Sequence, residues 1–255
     1  MGNKGYDFYS TIISYGISEK ERQYIDDAVS WRRMEHLNTE VFQDVLAVPA
    51  AVIIIRFSTL SENELKAFNE CFEEHHVAII SPDLYPGDHH FAYYGEIDFF
   101  SDDKRECLLL HSFVAILDKK CRIENVEVTK EKIYSVASLT DNGFRITTFQ
   151  NFKRIDSQEY DLRSSGNFPI NLNNLVCYSP QFKVCDVIYD FRKMADECID
   201  LHLLISIEYP ITALMNLDEK IQYFFQDKEN YLTLPESDKI VLLMRMYFDT
   251  KESLS

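Results

Sequence analysis

Hydrophobic residues recur at three-to-four spacing in the first part of the chain. A Ser-x-x-Glu capping box at Ser18 and Glu21 precedes the pattern, and Pro49 ends it. Such a box before apolar residues at this spacing is typical of an amphipathic helix. The pattern predicts one long helix, or two helices joined near Asn38 and Thr39. The spaced residues are Ile25, Ala28, Val29, Met34, Leu37, Val41 and Val45.

A second pattern begins directly after Pro49. The run 51–57 (AVIIIRF) is short, apolar and β-branched, as expected for a strand covered on both faces. Ser61 and Glu64 form another capping box before an amphipathic segment, and the run 77–81 (VAIIS) is again apolar. Strand, helix and strand in this order predict a βαβ unit with parallel strands.

Several strand-like segments follow, and they predict a mixed sheet. The last two flank Asn142-Gly143, a dipeptide that favours a tight hairpin turn. The segments are Phe91–Phe100, Cys107–Leu117, Arg122–Val128, Ile133–Leu139 and Phe144–Phe149.

The rest of the chain is predicted to be mainly helical. The polar stretch Asp156–Asn174 indicates a loop or a domain joint. Ser179-Pro180 then introduces apolar residues at helical spacing as far as Ile205, and two further helices are expected at Leu217–Phe225 and Pro235–Phe248.

These elements define the expected fold class. We expect an α+β protein with a mixed β-sheet, an N-terminal helical segment and a βαβ unit, followed by a mainly helical C-terminal part. Residues 1–155 form the sheet-containing region. Residues 156–255 form the helical region, either packed into the same domain or separate from it.

The charge of the chain limits its partners. It has 26 basic and 42 acidic residues, a formal net charge of −16. A field of this sign repels polyanions, so nucleic acid is a disfavoured partner, and a protein with a basic surface is favoured. The acidity is also compatible with an inhibitor, an immunity-type protein or a regulatory protein.

The cysteines and the apolar runs indicate the compartment. Six cysteines occur without paired Cys-x-x-Cys spacing, which favours free thiols and a reducing, cytoplasmic environment. The longest apolar run, Val45 to Ile55, contains Pro49 and is shorter than the roughly 20 residues that span a bilayer. We therefore expect no membrane association.

Histidines are concentrated between residues 71 and 111 and suggest a metal site. Cys71 and His75 are four residues apart on a predicted helix, a spacing that allows chelation. The opposing interpretation is that the histidine doublets simply end a helix and begin a strand, so that the protein has no cofactor. If a metal binds, zinc or magnesium is expected, and the candidate ligands are His75, His89, His90, Glu96, Asp98 and His111.

The tetrapeptide Gly95-Glu96-Ile97-Asp98 carries one resemblance. It resembles the strand that holds the metal-binding aspartate in nucleases of the restriction-endonuclease-like fold. That resemblance implies Mg²⁺ held by carboxylates and a following strand with Glu-x-Lys. The segment 107–113 (CLLLHSF) has no Glu-x-Lys. A metal-dependent hydrolase, or a degenerate relative of this nuclease fold, is therefore the alternative function.

No sequence motif indicates nucleophilic catalysis. The chain lacks a Gly-x-Ser-x-Gly elbow. Cys198 and His202 are four residues apart on a predicted helix, but Cys198 falls among its apolar positions, which favours a core cysteine.

Acidic and aromatic residues cluster between residues 83 and 103, and this stretch contains no Lys or Arg. Aromatic side chains inside a charged rim are typical of an electrostatically steered protein interface. The simpler alternative is that the aromatics face the core while the acids face water. We expect binding rather than catalysis, through Asp83, Tyr85, Asp88, Tyr93, Tyr94, Glu96, Asp98, Asp102 and Asp103.

Overall fold

The computed structural model of the chain describes residues 8–30, 32, 34–73, 75–101, 110–117, 133–162, 172, 174–184, 187–193, 195, 198–225 and 229–253. Its helices, its parallel sheet and its mixed sheet confirm the predicted α+β class with a helical C-terminal part. The chain divides into two compact units. Unit 1 is Met1–Ile123 with Ser206–Leu214, and unit 2 is Glu124–Ile205 with Met215–Ser255.

Unit 1 is built on a four-stranded parallel sheet. Strand β1 pairs with β2 on one side and with β3 on the other, and β4 extends the sheet beyond β3. The strand order is therefore β2-β1-β3-β4. The bounds are β1 Thr11–Tyr15, β2 Glu35–Thr39, β3 Val52–Ile55 and β4 Ala78–Ile80.

Helices cover both faces of this sheet. Ile12 and Ile54 belong to the core shared with α1 and α4, whereas Ile13 and Ile53 belong to the core shared with α2 and α3. Apolar residues on both sides of the central strands require this double cover. The helices are α1 Glu19–Val29, α2 Phe42–Ala47, α3 Glu62–Phe72 and α4 over residues 110–117.

The predicted βαβ unit is confirmed, since β3 and β4 are parallel and α3 connects them. Both predicted capping boxes form, at Ser18 and at Ser61. The prediction of helix through residues 35–39 is wrong. These residues form β2 because they pair with the whole length of β1, from Thr11 opposite Glu35 to Tyr15 opposite Thr39.

Two predicted strands of unit 1 are also wrong. Residues 110–117, within the expected strand Cys107–Leu117, are helical, and Leu110, Phe113, Val114 and Leu117 are buried at three-to-four spacing. Among the described residues, the segment 91–100 forms one strand pairing, a single bridge between Tyr94 and Ile80. The third expected strand, 122–128, lies outside the described residues.

Unit 2 contains a five-stranded mixed sheet of order β11-β8-β5-β6-β7. Strands β5 and β6 form the predicted hairpin, in which Thr140 pairs with Gly143 around Asp141-Asn142. The bounds are β5 Ile133–Thr140, β6 Gly143–Gln150, β7 Lys153–Asp161, β8 Leu175–Cys177 and β11 Cys198–Asp200.

The polar stretch that begins at Asp156 is partly an edge strand. Of the described strands, β7 pairs with β6 alone, and all of its residues except Tyr160 are exposed. Its polarity therefore reflects exposure at a sheet edge. Residue 155, where we expected one region to end, lies inside this strand.

The helix predicted from Ser179 to Ile205 is mostly wrong. Residues Gln181–Val184 (β9) and Val187–Asp190 (β10) form an antiparallel hairpin. The ring of Phe182 stacks on Tyr189 across the hairpin, with centroids 5.5 Å apart. Cross-strand aromatic pairing and β-branched residues favour strands, and here they outweigh the apolar spacing.

The remaining helices follow β11. Helix α5 is Leu201–Glu208, and the two predicted C-terminal helices are confirmed as α6 Leu217–Phe224 and α7 Glu236–Ser253. Within the described ranges, no helix combines the length and the apolarity needed to cross a membrane.

The turn from β1 into α1 depends on Gly16. Its φ is +69°, and a Cβ added there would lie 2.3 Å from Oγ1 of Thr59. The carbonyl oxygen of Gly16 accepts a hydrogen bond from Nε of Arg56 at 3.2 Å. Glycine is required because the turn combines a left-handed backbone with a close approach to Thr59.

We expect Gly16→Ala to lower the free energy of unfolding by about 2–4 kcal/mol, through backbone strain and overpacking. Urea denaturation measures this loss. Gly87→Ala is the control, because Gly87 has a φ of +123° but nothing within 4 Å of an added Cβ. A loss for Gly16→Ala no larger than the about 1–2 kcal/mol that a left-handed backbone alone costs an alanine would mean that the collision with Thr59 contributes nothing.

Unit 2 buries one lysine completely. Lys220 on α6 has no exposed surface, and its Nζ donates a hydrogen bond to the carbonyl oxygen of His202 at 3.3 Å. Burial lowers the pKa of Lys220 to about 7, although the nearby charge of Asp200 opposes this shift. The ammonium form is therefore disfavoured in the folded protein.

The pKa of Lys220 predicts a pH-dependent stability. Between its ordinary pKa of 10.5 and about 7, the unfolded chain binds a proton that the folded chain does not, so stability falls as the pH falls through this window. We expect Lys220→Met to be more stable than the wild type at pH 7 by on the order of 2–4 kcal/mol. The difference should shrink towards pH 10.

Chemical denaturation at several pH values from neutral to alkaline measures the difference. The exposed Lys66→Met is the control and should show no such trend. A difference for Lys220→Met that does not change with pH contradicts the prediction.

Candidate functional site

The loop after β4 is fixed at its start by Asp83. Its carboxylate accepts hydrogen bonds from the backbone N–H groups of Phe57 and Ser58, both at 2.9 Å, and from the hydroxyl of Ser81 at 2.7 Å. Partial burial alone would raise the pKa of Asp83, but the hydrogen bonds from Ser58 and Ser81 outweigh it and hold the pKa below its usual range. Asp83 therefore anchors the loop to the turn that follows β3.

Aromatic rings hold the next part of the loop. Phe57 contacts Tyr85 and Tyr93, with centroids 5.1 and 5.4 Å away, and Tyr85 also contacts Phe91 at 5.3 Å. The backbone N–H of Tyr85 donates to the hydroxyl of Tyr93, and the hydroxyl of Tyr85 donates to the carbonyl oxygen of Leu65. The predicted interface residues Tyr85 and Tyr93 thus mainly form an internal platform.

Tyr94 joins the loop to the sheet. Its backbone N–H donates to the carbonyl oxygen of Ile79, and its carbonyl oxygen accepts from the N–H of Ser81. Its hydroxyl donates to the carbonyl oxygen of Ile211 at 2.7 Å. Tyr94 therefore acts within unit 1 as a structural residue.

Five exposed side chains of the loop are given the name acidic rim: Leu84, Asp88, Glu96, Asp98 and Phe100. All five are exposed, Leu84 by 57% and Phe100 by 41%. Asp98 accepts a hydrogen bond from the N–H of Phe100, which stabilises the local turn. The rim carries three carboxylates and two apolar side chains. The other predicted interface residues, Asp102 and Asp103, lie outside the described residues.

The histidines considered as metal ligands lie on different elements. His75 follows α3, His89 and His90 lie in the loop after β4, and His111 lies on α4. Among the described residues, no group of three His, Cys, Asp or Glu side chains is arranged to hold a metal ion.

His89 and His90 instead support the loop. Nδ1 of His89 lies 2.9 Å from the carbonyl oxygen of Phe91, and its ring contacts Tyr93 with centroids 5.0 Å apart. The backbone N–H of His90 donates to Oδ1 of Asn69 on α3. These contacts pack the ring of His89 against Tyr93 and join the backbone of His90 to α3.

The tetrapeptide 95–98 does not form the strand that the nuclease resemblance implies. Residues 95–98 lie in the loop, and Glu96 has a φ of +56°. The segment expected to supply the second strand contributes helix α4 where it is described. The resemblance therefore does not extend to the local structure.

The carboxyl edge of the sheet is the usual ligand position in this topology. In open parallel sheets, ligands bind beyond the strand ends where the strand order reverses, here between β1 and β3. An internal ion pair occupies this position: Nη2 of Arg56 donates to both carboxylate oxygens of Glu21, at 2.7 and 2.9 Å. Glu21 also accepts from the N–H and the hydroxyl of Ser18, so the start of α1 is already capped.

The charge state of Glu21 reflects these contacts. Partial burial would raise its pKa, but the hydrogen bonds from Ser18 and Arg56 outweigh this effect and lower it. Glu21 is therefore a carboxylate at neutral pH, committed to the protein's own fold.

A serine, a histidine and an aspartate meet beside β1, an arrangement that the sequence did not reveal. Oγ of Ser14 lies 2.7 Å from Nε2 of His36, and Nδ1 of His36 lies 2.6 Å from Oδ1 of Asp26. The hydroxyl of Ser14 also donates to Oδ1 of Asn38 at 2.9 Å. Only the parallel register of β1 and β2 brings these residues together, and β2 was not predicted.

The exposure of these three residues argues against catalysis. In a Ser-His-Asp hydrolase the serine meets the substrate and the aspartate is buried. Here Ser14 is fully buried, His36 has 2% of its side chain exposed, and Asp26 has 49% exposed. Burial lowers the pKa of His36 against the opposing effect of Asp26. We interpret the group as a buried network that joins β1, β2 and α1.

We expect Ser14→Ala to lower the free energy of unfolding by about 1–3 kcal/mol, because Nε2 of His36 loses its buried partner. We also expect no labelling of Ser14 by a fluorophosphonate probe. Ser30→Ala, at an exposed position, is the matched control and should change stability by less than about 0.5 kcal/mol. Stoichiometric labelling of Ser14 would show that the network is a catalytic triad instead.

Comparisons with family models, curated proteins and solved structures found no match to this chain.

Proposed function

We propose that the protein acts in the cytoplasm by binding a protein partner with a basic surface, as an inhibitor, an immunity-type protein or a regulatory protein. The observation that supports this proposal is the acidic rim. Its three carboxylates, Asp88, Glu96 and Asp98, are exposed, and the segment 81–101 itself contains no Lys or Arg.

Rigidity of the loop favours binding. Asp83 holds the start of the loop, and the packing of Tyr85 and Tyr93 against Phe57 holds its middle. A surface that is ordered before binding loses little conformational entropy when the partner docks. The rim can therefore present its carboxylates in a fixed arrangement.

Leu84 and Phe100 supply exposed apolar surface in the same loop as the carboxylates. More than half of Leu84 and 41% of Phe100 are exposed. Burying such side chains contributes affinity, while the surrounding charges mainly contribute rate and specificity. The combination favours a protein partner over a simple cation.

The overall charge determines which partners approach. A net charge of −16 attracts basic proteins and repels nucleic acid, and both effects weaken as salt screens them. The described cysteines, Cys71, Cys177 and Cys198, are free thiols, which is consistent with a reducing compartment. The candidate ligands of a metal-dependent hydrolase, as far as they are described, are not arranged to hold a metal ion.

We expect reversal of the three rim carboxylates, Asp88→Lys, Glu96→Lys and Asp98→Lys, to abolish capture of the partner from cell extract. The wild type should capture it at about 50 mM salt and lose most of it at about 500 mM, because screening weakens the steering field. Affinity capture with quantitative mass spectrometry measures both effects. Asp83 is left unchanged because its carboxylate holds the loop.

The control reverses three exposed acids elsewhere in unit 1: Asp27→Lys, Glu35→Lys and Glu40→Lys. It makes the same change in net charge without touching the rim. A partner retained by this control and lost by the rim variant identifies the surface. Equal capture by both triple variants and the wild type would refute binding through the rim.

A further inference from the structure

Unit 2 brings two free thiols into contact. Cys177 is the last residue of β8, and Cys198 is the first residue of the neighbouring strand β11. Their sulfur atoms lie 3.6 Å apart. The two residues are separated by 21 positions in the sequence, so the contact depends on the pairing of β8 with β11.

The two thiols differ in exposure. Cys177 is buried, with 1% of its surface exposed, and its sulfur also lies 3.7 Å from the carbonyl oxygen of Ile199. Cys198 is only partly buried. Cys198 is therefore more accessible than Cys177 to a reagent in solution.

Electrostatics reinforce this asymmetry. The hydrogen bond with Cys177 lowers the pKa of the Cys198 thiol, against the opposing effects of burial and of the charges of Asp200 and Asp190, and Arg192 adds to the lowering. The hydrogen bond to Cys198 raises the pKa of the Cys177 thiol, and burial adds to this shift. Because thiolates are the nucleophiles in thiol chemistry, Cys198 is the more reactive of the two.

The strand register allows a covalent link if the start of β11 shifts. Cys177 pairs directly with Asp200, so Cys198 lies diagonally across from it on the same face of the sheet. Diagonal neighbours on paired strands have Cα atoms about 7–8 Å apart, whereas a disulfide requires a sulfur–sulfur distance of about 2.05 Å and a Cα separation below about 7 Å, so the backbone at the start of β11 must move towards β8. Cys198 is the first residue of β11, and a strand end can shift with the loss of few ladder hydrogen bonds.

We propose that Cys177 and Cys198 form a reversible dithiol–disulfide site that is oxidised by a low-molecular-weight disulfide such as glutathione disulfide. Cys198 is the attacking thiol and Cys177 is the resolving thiol. This site is independent of the acidic rim in unit 1.

The chemistry proceeds by two exchange steps. The Cys198 thiolate attacks one sulfur of glutathione disulfide, whose sulfur–sulfur bond breaks and releases one glutathione thiolate. Cys177 then loses its proton and attacks the Cys198 sulfur of the mixed disulfide, which releases the second glutathione. Two protein thiols become one disulfide, and one glutathione disulfide becomes two glutathione thiols.

The test treats the reduced full-length protein with glutathione disulfide, blocks the remaining thiols with an alkylating reagent and digests the product with trypsin without reductant. Cleavage after Lys and Arg places Cys177, Cys185 and Cys198 in separate peptides, 164–183, 184–192 and 194–220. We expect a disulfide that joins 164–183 to 194–220 and disappears on reduction. Recovery of both peptides in alkylated form, or linkage of either one to 184–192, would overturn the proposal.

Single variants test the assigned roles. Cys177→Ser should stop at a stable glutathione adduct on Cys198, because the resolving thiol is missing. Cys198→Ser should give no adduct on Cys177, which is buried. Cys71→Ser, in unit 1, is the matched control and should leave the cross-link unchanged. An adduct on Cys177 in the Cys198→Ser protein would show that the order of attack is wrong.

Discussion

The structure of unit 1 depends on covering a parallel sheet on both of its faces. Every residue of β3 is buried, and β1 is buried except at Tyr15. Polar groups that enter such a sheet must find partners inside the protein, because an unsatisfied buried group costs about 1–3 kcal/mol. Ser14 meets this demand with His36 and Asn38. The same constraint explains why Ser14, His36 and Asp26, which resemble a catalytic triad, stabilise the fold instead.

The carboxylates of unit 1 divide into two groups by what they contact. Glu21 and Asp83 accept several hydrogen bonds from the protein and hold turns at the ends of the strands. Asp88 and Glu96, by contrast, are exposed at the surface of the loop. Like charges that support no internal contact are disfavoured by mutual repulsion unless something outside the molecule neutralises them. The carboxylates of the rim are therefore accessible at the surface, whereas those at the carboxyl edge of the sheet are engaged within the protein.

Local signals in the sequence were sufficient for the elements that local interactions determine. The capping boxes at Ser18 and Ser61 located α1 and α3, and the β-branched run after Pro49 located β3. The Asn142-Gly143 dipeptide located the hairpin of β5 and β6. Each of these signals acts over a few residues, so the sequence contains it in full.

Elements that depend on distant pairing were not predictable in this way. Strand β2 has no apolar run, and its pairing with β1 decides its conformation. The apolar residues of the β9–β10 hairpin match helical spacing by coincidence. Aromatic contacts favour the strands instead, such as that between the rings of Phe182 and Phe191, whose centroids lie 4.3 Å apart. The network around His36 and the thiol pair both follow from strand register, and a pattern read along one chain does not specify register.

The candidate site was predictable in composition but not in detail. The sequence indicated an acidic and aromatic segment, and that segment does form a loop with exposed carboxylates. It did not reveal that Asp83 is held by backbone N–H groups or that Tyr85 packs against Phe57. These contacts join residues about 25 positions apart on neighbouring strand ends, and only the sheet order brings them together.

The edge of β7 that pairs with none of the described strands is another surface on which a partner could add, by pairing a strand with the sheet. Several features oppose such pairing. Strand β7 has an irregularity in its register where it meets Thr148 and Phe149, and charges of both signs line it. Arg154 pairs with Asp238, and Glu159 pairs with Arg145, so these side chains are held beside the edge. Bulges and charges are the means by which natural sheets protect their edges from pairing. The edge of β7 is therefore poorly suited to pairing with an added strand.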